Sequence, residues 1–173
     1  MIVGEKTGII YNNEMDDFSL LNSNLDKNFI SPGKRPLSSQ SPFILIDSNG
    51  NIRQILGAGG GNKILTTVSQ VSLINLLFHF NIKQSIDRPR LHHHALPNEI
   101  IFEKTFNRII YLIIFFNLNL FSKDILNGLK RRGHEMKCTS YGGSAVQAIQ
   151  WDYNTKQYWA YADPRKGGNT HGY

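Results

Sequence analysis

Phe43 to Asp47 and Ile52 to Leu56 are two short apolar runs separated by Ser48-Asn49-Gly50-Asn51, a pattern that reads as a β-hairpin. Asparagine and glycine tolerate the backbone such a turn demands. The returning strand runs into Gly57-Ala58-Gly59-Gly60-Gly61-Asn62, and Lys63 to Phe80 is then largely apolar, with threonine and serine near its start. This predicts a strand, a glycine turn and a buried helix, although Thr66, Thr67 and Val68 lower helix propensity. Lys83 to Asp87 is expected to form a short helix stopped before Arg88-Pro89. Lys123 to Arg132 reads as an amphipathic helix closed by Gly133, and Ser144 to Tyr153 with Gln157 to Asp163 as a second hairpin. Ahead of the first hairpin, Gly8 to Tyr11 looks like the end of a strand and Leu20 to Arg35 a long exposed loop. Two prolines, Pro36 and Pro42, fix the backbone on either side of Ser38 and Ser39.

A chain of 173 residues, 40% hydrophobic and 18% charged, is one soluble domain's worth. Its formal charge of +6 is scattered, with Lys130-Arg131-Arg132 the only tight basic cluster. No nucleic-acid motif accompanies it, so a nucleic-acid partner is not expected. The single Cys138 excludes both an internal disulfide framework and a cysteine metal cage. Nothing after Met1 resembles a signal peptide, and the apolar run Ile109 to Phe121 falls short of the roughly 20 residues a spanning helix needs. Arg108 to Ser122 is built almost wholly from Ile, Tyr, Leu, Phe and Asn. Those residues share AT-rich codons, so the stretch reads either as translated intron or other insertion, or as a buried helix or strand.

Asn12 to Ser19, NNEMDDFS, carries three carboxylates in eight residues. Asparagine pairs favour turns by bonding their own backbone, and on a helical turn Glu14 and Asp17 share a face. Such a pair is either a solvated acidic turn or a clamp for a cation, an ammonium being the simplest. The glycine run could cradle an anion with its backbone N–H groups. Its spacing is neither that of a dinucleotide fold nor of a Walker loop, which leaves a nucleotide module of another kind, an oxyanion hole for acyl transfer, or a tight turn needing positive φ. His92, His93 and His94 point in divergent directions, so no metal is expected there. Cys138 is expected to be inert. Ser38 and Ser39 lack the context of a nucleophile and are more credible as donors to a carboxylate.

In order along the chain, NNEMDDFS (12–19), PGKRPLSSQSP (32–42), GAGGGNKI (57–64), RPRLH (88–92) and DPRKGG (163–168) resemble the small subunit of γ-glutamyltransferase, also called glutathione hydrolase. The likeness covers nearly the whole chain except Arg108 to Ser122. It implies an α+β, N-terminal-nucleophile hydrolase-like fold, a four-layer αββα sandwich with two sheets stacked between helical layers, here expected to be a single partial domain incomplete at its N-terminus. In that family a threonine hydroxyl attacks the γ-amide carbonyl of glutathione, its own amine serving as base. The acyl group then passes to water, an amino acid or a dipeptide. Carried over, the resemblance implies that Glu14 and Asp17 hold the α-ammonium of the γ-glutamyl group. Ser38 and Ser39 would bind its α-carboxylate, and the N–H groups of Gly60 and Gly61 would form the oxyanion hole. It implies no cofactor and no metal.

Two departures shape the expectation. Gln40 stands where family members often carry methionine or cysteine. The nucleophilic threonine opens a segment well upstream of the acidic motif in the family, whereas eleven residues precede Asn12 here, and Thr7 is too close to serve. The large subunit, with the anchor that places the family on the extracellular face of the plasma membrane, is also not in this sequence. The chain is therefore expected to be a substrate-binding half-site without its nucleophile, or alternatively an inactive light-chain-only paralogue that binds γ-glutamyl compounds or a partner subunit.

Overall fold

The computed structural model describes residues 2–19, 26–104, 123–140 and 143–172, in two compact units, Met1–Ser38 and Ser39–Tyr173. The suspected insertion at Arg108 to Ser122 lies outside the described residues, as do residues 20–25 of the expected long loop.

In the larger unit the first hairpin forms as predicted, β1 (Phe43–Ile46) pairing antiparallel with β2 (Ile52–Gly59). Asp47 closes the turn: its carboxylate accepts the Asn49 and Asn51 N–H groups at 2.9 Å each, and Gly50 takes φ +84°. β2 runs three residues beyond the predicted end because Gly57, Ala58 and Gly59 pair with Gln147, Val146 and Ala145 of β6 (Ala145–Asp152). The ladder outweighs the weak strand preference of glycine, and the actual turn begins at Gly60. β6 pairs with β7 (Gln157–Ala162), giving an antiparallel sheet of order β1-β2-β6-β7.

Helix α1 (Lys63–Phe78) buries Ile64, Thr67, Val68, Val71, Ile74 and Asn75. Leu65, Leu73 and Leu77 remain exposed, so the helix is half-buried rather than buried. It stops at Phe78, two residues early, because His79 turns left-handed at φ 58°. Helix α2 (Ile82–Asp87) starts on a capping box between Asn81 and Gln84, each side chain satisfying a backbone N–H of the other. Leu56, Val146 and Ala148 of the sheet pack with Ile64, Val68 and Val71 of α1 and with Ile82 and Ile86 of α2 to form the main core.

The other face of this sheet is exposed among the described residues. Ile44 and Ile46 are exposed, as are Ile149 and Tyr158, and Ile44 and Ile149 both stand opposite Ile55 in the register. Alternation puts these residues on the side away from Leu56 and Val146.

Sequence reasoning missed the second sheet, β3 (Leu91–His93), β4 (Glu99–Glu103) and β5 (Glu135–Thr139). β3 and β4 are antiparallel and β4 and β5 parallel, with α3 (Lys123–Arg131) between β4 and β5 in the chain. Gly133 follows α3 at φ +89°, as its C-cap role requires. Phe102, Leu126, Leu91 and Met136 make a smaller core there.

In the smaller unit, the expected strand end at Gly8 to Tyr11 reduces to one antiparallel bridge between Val3 and Ile10. Ile9, Ile10 and Tyr11 stay exposed, so no buried face sustains a longer pairing. Short 3-10 turns follow at Glu14–Asp17 and Asp26–Asn28.

Candidate functional site

In the smaller unit the acidic segment is the helical turn its sequence suggested. Asn12 Oδ1 accepts the Glu14 N–H at 3.0 Å, Asp16 N–H reaches Asn13 O at 3.1 Å and Phe18 N–H reaches Met15 O at 3.3 Å. Residues three apart eclipse on a 3-10 helix, which brings Glu14 and Asp17 into hydrogen-bond contact. Asp17 also accepts a hydrogen bond from the Ser38 side chain. Its carboxyl titrates above the ordinary range, through desolvation first, then through the charge and hydrogen bond of Glu14 and the charge of Asp16, with Ser38 opposing. Two carboxylates this close resist full ionisation unless a cation joins them.

The brace of this cluster is a residue that sequence reasoning passed over. Asn28 Nδ2 donates to Asp17 O at 2.8 Å, and Asn28 Oδ1 accepts the Leu37 N–H at 2.9 Å. The Asn28 carbonyl takes the Ser19 N–H at 3.0 Å. One side chain thus ties the acidic turn to the residue preceding Ser38. The only signal for it in the sequence was an asparagine in a loop, which is too common to single out.

The larger unit holds Ser39, Gly60 and Gly61. Ser39 is exposed, and its carbonyl accepts the Ser41 hydroxyl at 3.2 Å. Gly60 and Gly61 take φ +143° and +58°, and their carbonyls accept the first N–H groups of α1, Lys63 to Gly60 at 3.3 Å and Ile64 to Gly61 at 3.0 Å. A Cβ on Gly60 would lie 2.6 Å from Gly143 O and 2.8 Å from Ser144 Cα, whereas one on Gly61 would meet nothing within 4 Å. Gly60 is therefore required both by its backbone angle and by close packing, Gly61 by its angle alone.

The wall behind Gly60 is held from the interior. Ser144 Oγ and Thr67 Oγ1 share a hydrogen bond of 2.6 Å, and Arg90 Nη1 donates to Ser144 O at 3.1 Å. Arg90 Nη2 reaches Asp163 Oδ2 at 2.5 Å, while Arg165 bridges Asp163 at 3.1 Å and Glu103 at 2.7 Å. Val146 N–H also donates to Asp163 Oδ2, and Arg90 N–H to Glu103. Burial works against the charged form of Asp163, but the Arg90 charge and hydrogen bond outweigh it, with the Val146 and Arg165 N–H groups, and hold its carboxyl below the usual range. This network joins the two sheets of the larger unit; Arg90, Asp163 and Arg165 came from the RPRLH and DPRKGG motifs without a role assigned to them, and Glu103 lies outside both.

The three histidines separate as their alternation predicts. His92 is buried, its Nδ1 paired with Thr66 Oγ1 at 2.9 Å, and desolvation, then the charges of Lys63, His94 and His93, hold its pKa down. His93 Nε2 and His134 Nδ1 both meet Asn98 Oδ1, at 3.2 and 2.6 Å. Among the described residues no group of three potential ligands is placed to hold a metal, and no helix is long and apolar enough to cross a membrane. Cys138 is exposed on β5.

The fold recurs in known proteins. A crystal structure of an acivicin-inhibited gamma-glutamyltranspeptidase superposes with a TM-score of 0.73 at 32% identity, over 96% of this chain and 86% of that one. The two-sheet α+β frame is thereby that of an N-terminal-nucleophile hydrolase. The family model for Gamma-glutamyltranspeptidase matches residues 1–173, and the chain belongs to that family. It is 38% identical to Scoloptoxin SSD20 of Scolopendra dehaani, over 96% of this chain and 80% of that protein. It is 34% identical to the glutathione hydrolase proenzyme of Escherichia coli K12, over 95% of this chain but 27% of that protein's length.

Proposed function

We propose that this chain supplies the γ-glutamyl-binding groups and the oxyanion hole for acyl transfer from glutathione or related γ-glutamyl compounds to water, amino acids or dipeptides. One observation carries the reading: Asp17 hydrogen-bonds both Glu14 and Ser38. In an α-amino acid the ammonium and carboxylate hang from one carbon, so a receptor needs acceptors and hydroxyl donors side by side. Glu14 and Asp17 take the ammonium, relieving their mutual repulsion; Ser38 and Ser39 donate to the carboxylate. The Gly60 and Gly61 N–H groups, ahead of α1, stabilise the oxyanion that forms when the γ-carbonyl is attacked.

The attacking threonine is not assigned to any residue of this chain. Thr7 sits in a tight loop with its Oγ1 accepting the Ile9 N–H at 3.3 Å. The open sheet face around Ile44, Ile55 and Ile149 supports a large-subunit partner, because the fold class stacks two sheets and an apolar face of this kind asks for cover.

Calorimetry on the 173-residue chain tests the reading. L-Glutamate is expected to bind, with Asp17→Asn weakening it about tenfold or more, while a chromogenic γ-glutamyl anilide is not turned over. Absence of glutamate binding, or binding unaffected by Asp17→Asn, sinks the assignment of the clamp. Turnover by the chain alone would overturn the assignment of the nucleophile elsewhere.

A further inference from the structure

Away from Gly60 and Gly61, at the other end of the four-stranded sheet, a cleft of about 530 Å³ lies among the start of β2, the ends of β6 and β7 and the α1–α2 corner. The five steps of β2 from Gln54 to Gly59 separate it from the glycine turn by about 17 Å, at roughly 3.3 Å per residue. Its volume is that of a small-molecule site. Tyr153 and Trp159 line it, so its walls suit a flat apolar ring.

Its hydrogen-bonding character is set by a chain of amides. The Phe80 carbonyl can only accept, so Asn75 turns its NH2 toward it, at 2.7 Å. The same NH2 donates to Gln150 Oε1 at 3.0 Å, and Asn75 Oδ1 accepts from Gln54 Nε2 at 2.8 Å. Gln150 is thereby oriented with its oxygen engaged and its own NH2 without an acceptor among the described residues. Arg53 adds a second set of donors. Its guanidinium lies 5.2 Å from the Tyr153 ring centre and has no carboxylate partner among the described residues.

The other charged groups of the cleft already hold hydrogen-bond partners. Lys83 bonds Asp87 and the Tyr161 hydroxyl, and Asp152 Oδ1 accepts the Asn154 and Thr155 N–H groups at 2.7 and 3.2 Å. What remains is a surplus of donors, the Arg53 guanidinium and the Gln150 NH2, beside aromatic walls, while the Asp152 charge is directed at the N–H groups of its own turn. A carboxylate guest would accept from both donor sets, whereas an uncharged one would leave the Arg53 guanidinium to water.

We propose that this cleft is a second ligand site, distinct from the γ-glutamyl residues, that takes a small aromatic carboxylate. The ring lies against Tyr153 and Trp159, and the carboxylate accepts from Arg53 and Gln150. The proposal does not depend on the acyl-transfer reading.

Trp159, one of the two tryptophans of the chain, lines the cleft on the Gln150 side of the sheet, so tryptophan fluorescence reports on it directly. The 173-residue chain is titrated with N-acetyl-L-phenylalanine and, as an uncharged match, with N-acetyl-L-phenylalaninamide; neither emits in the tryptophan window. The acid is expected to give a saturable change, the amide a weaker one. Arg53→Gln and Gln150→Glu should each raise the Kd for the acid by about tenfold or more, while Gly61→Ala leaves it unchanged. No saturable change with the acid overturns the site. Equal binding of acid and amide, a comparison that requires no substitution, overturns the carboxylate, and unchanged affinity in folded Arg53→Gln and Gln150→Glu chains overturns the assigned donors.

Discussion

The glycine turn and the acidic turn are both short polar segments suited to a charged guest, yet they are held in opposite ways. Gly60 rests on the Gly143–Ser144 backbone, and Ser144 is gripped by Thr67 and by Arg90, itself part of a buried ion network. The acidic turn is held by exposed bonds, chiefly those of Asn12 and Asn28. A broken buried bond leaves a desolvated group without a partner, whereas water replaces an exposed one. The contrast matches the proposed tasks. Oxyanion stabilisation requires donors already in place when charge develops; a clamp for an amino acid can close around its guest.

That contrast is open to test, and the largest effect should come from the interior. Arg90→Ala removes one of the two arginines paired with buried Asp163 and takes the side-chain donors from the Ser144 and Ile86 carbonyls, and should cost about 3–5 kcal/mol of stability, read by denaturant titration; a loss under about 1 kcal/mol would mean the network behaves like a surface ion pair. Gly60→Ala forces a Cβ against Gly143 O and should cost about 1–3 kcal/mol from overpacking. Gly61→Ala meets open space and carries only the left-handed penalty, about 1–2 kcal/mol, so the two alanine variants should separate in chemical denaturation in that order. If they are equal, close packing behind Gly60 is not the deciding factor.

On the exposed side, Asn28→Ala should lower stability by only about 0.5–1.5 kcal/mol but weaken glutamate binding more than any comparable surface change, because it releases the acidic turn from the segment before Ser38. Titration gives the smallest effects. The Asp17 pKa is raised and an ammonium needs its carboxylate, so glutamate affinity should fall as pH drops through that raised value, and Asp17→Asn should abolish the dependence. His92 has a folded pKa below its unfolded one, so the stability it contributes is complete above the unfolded value of about 6.5 and declines as pH falls below it. For Asp163, also depressed, the contribution is lost only at lower pH, as its folded value is passed. Melting curves across pH with His92→Gln as control separate the two.

Much of the local structure was legible. The hairpins over 43–59 and 145–162, the helices at Lys63 and Ile82, and the Gly133 cap each rest on turn chemistry or periodicity that operates within a few residues. The 3-10 turn at Glu14 follows from Asn12 bonding its own backbone in the same way. The strand at Gly8 to Tyr11 did not extend, because neighbouring strands and burial decide pairing, not a run of isoleucines. The second sheet went unseen for a related reason: Leu91–His93 is three residues long, and β5 is as polar as a loop, so only pairing to β4 makes either a strand.

What the sequence determined by itself was the family and the identity of the charged, hydroxyl and glycine residues, because those motifs occur in order and each carries its chemistry in its side chains or in its lack of one. What only the tertiary structure decided was how those residues are held. Asn28 joins Asp17 to the segment before Ser38 across a loop, Arg90 meets Asp163 from 73 positions away, and Gln150 acquires its orientation from Asn75 and Phe80. These are contacts between distant segments, in which one polar group is set by the partner that burial leaves it, and no local pattern in the chain records that choice.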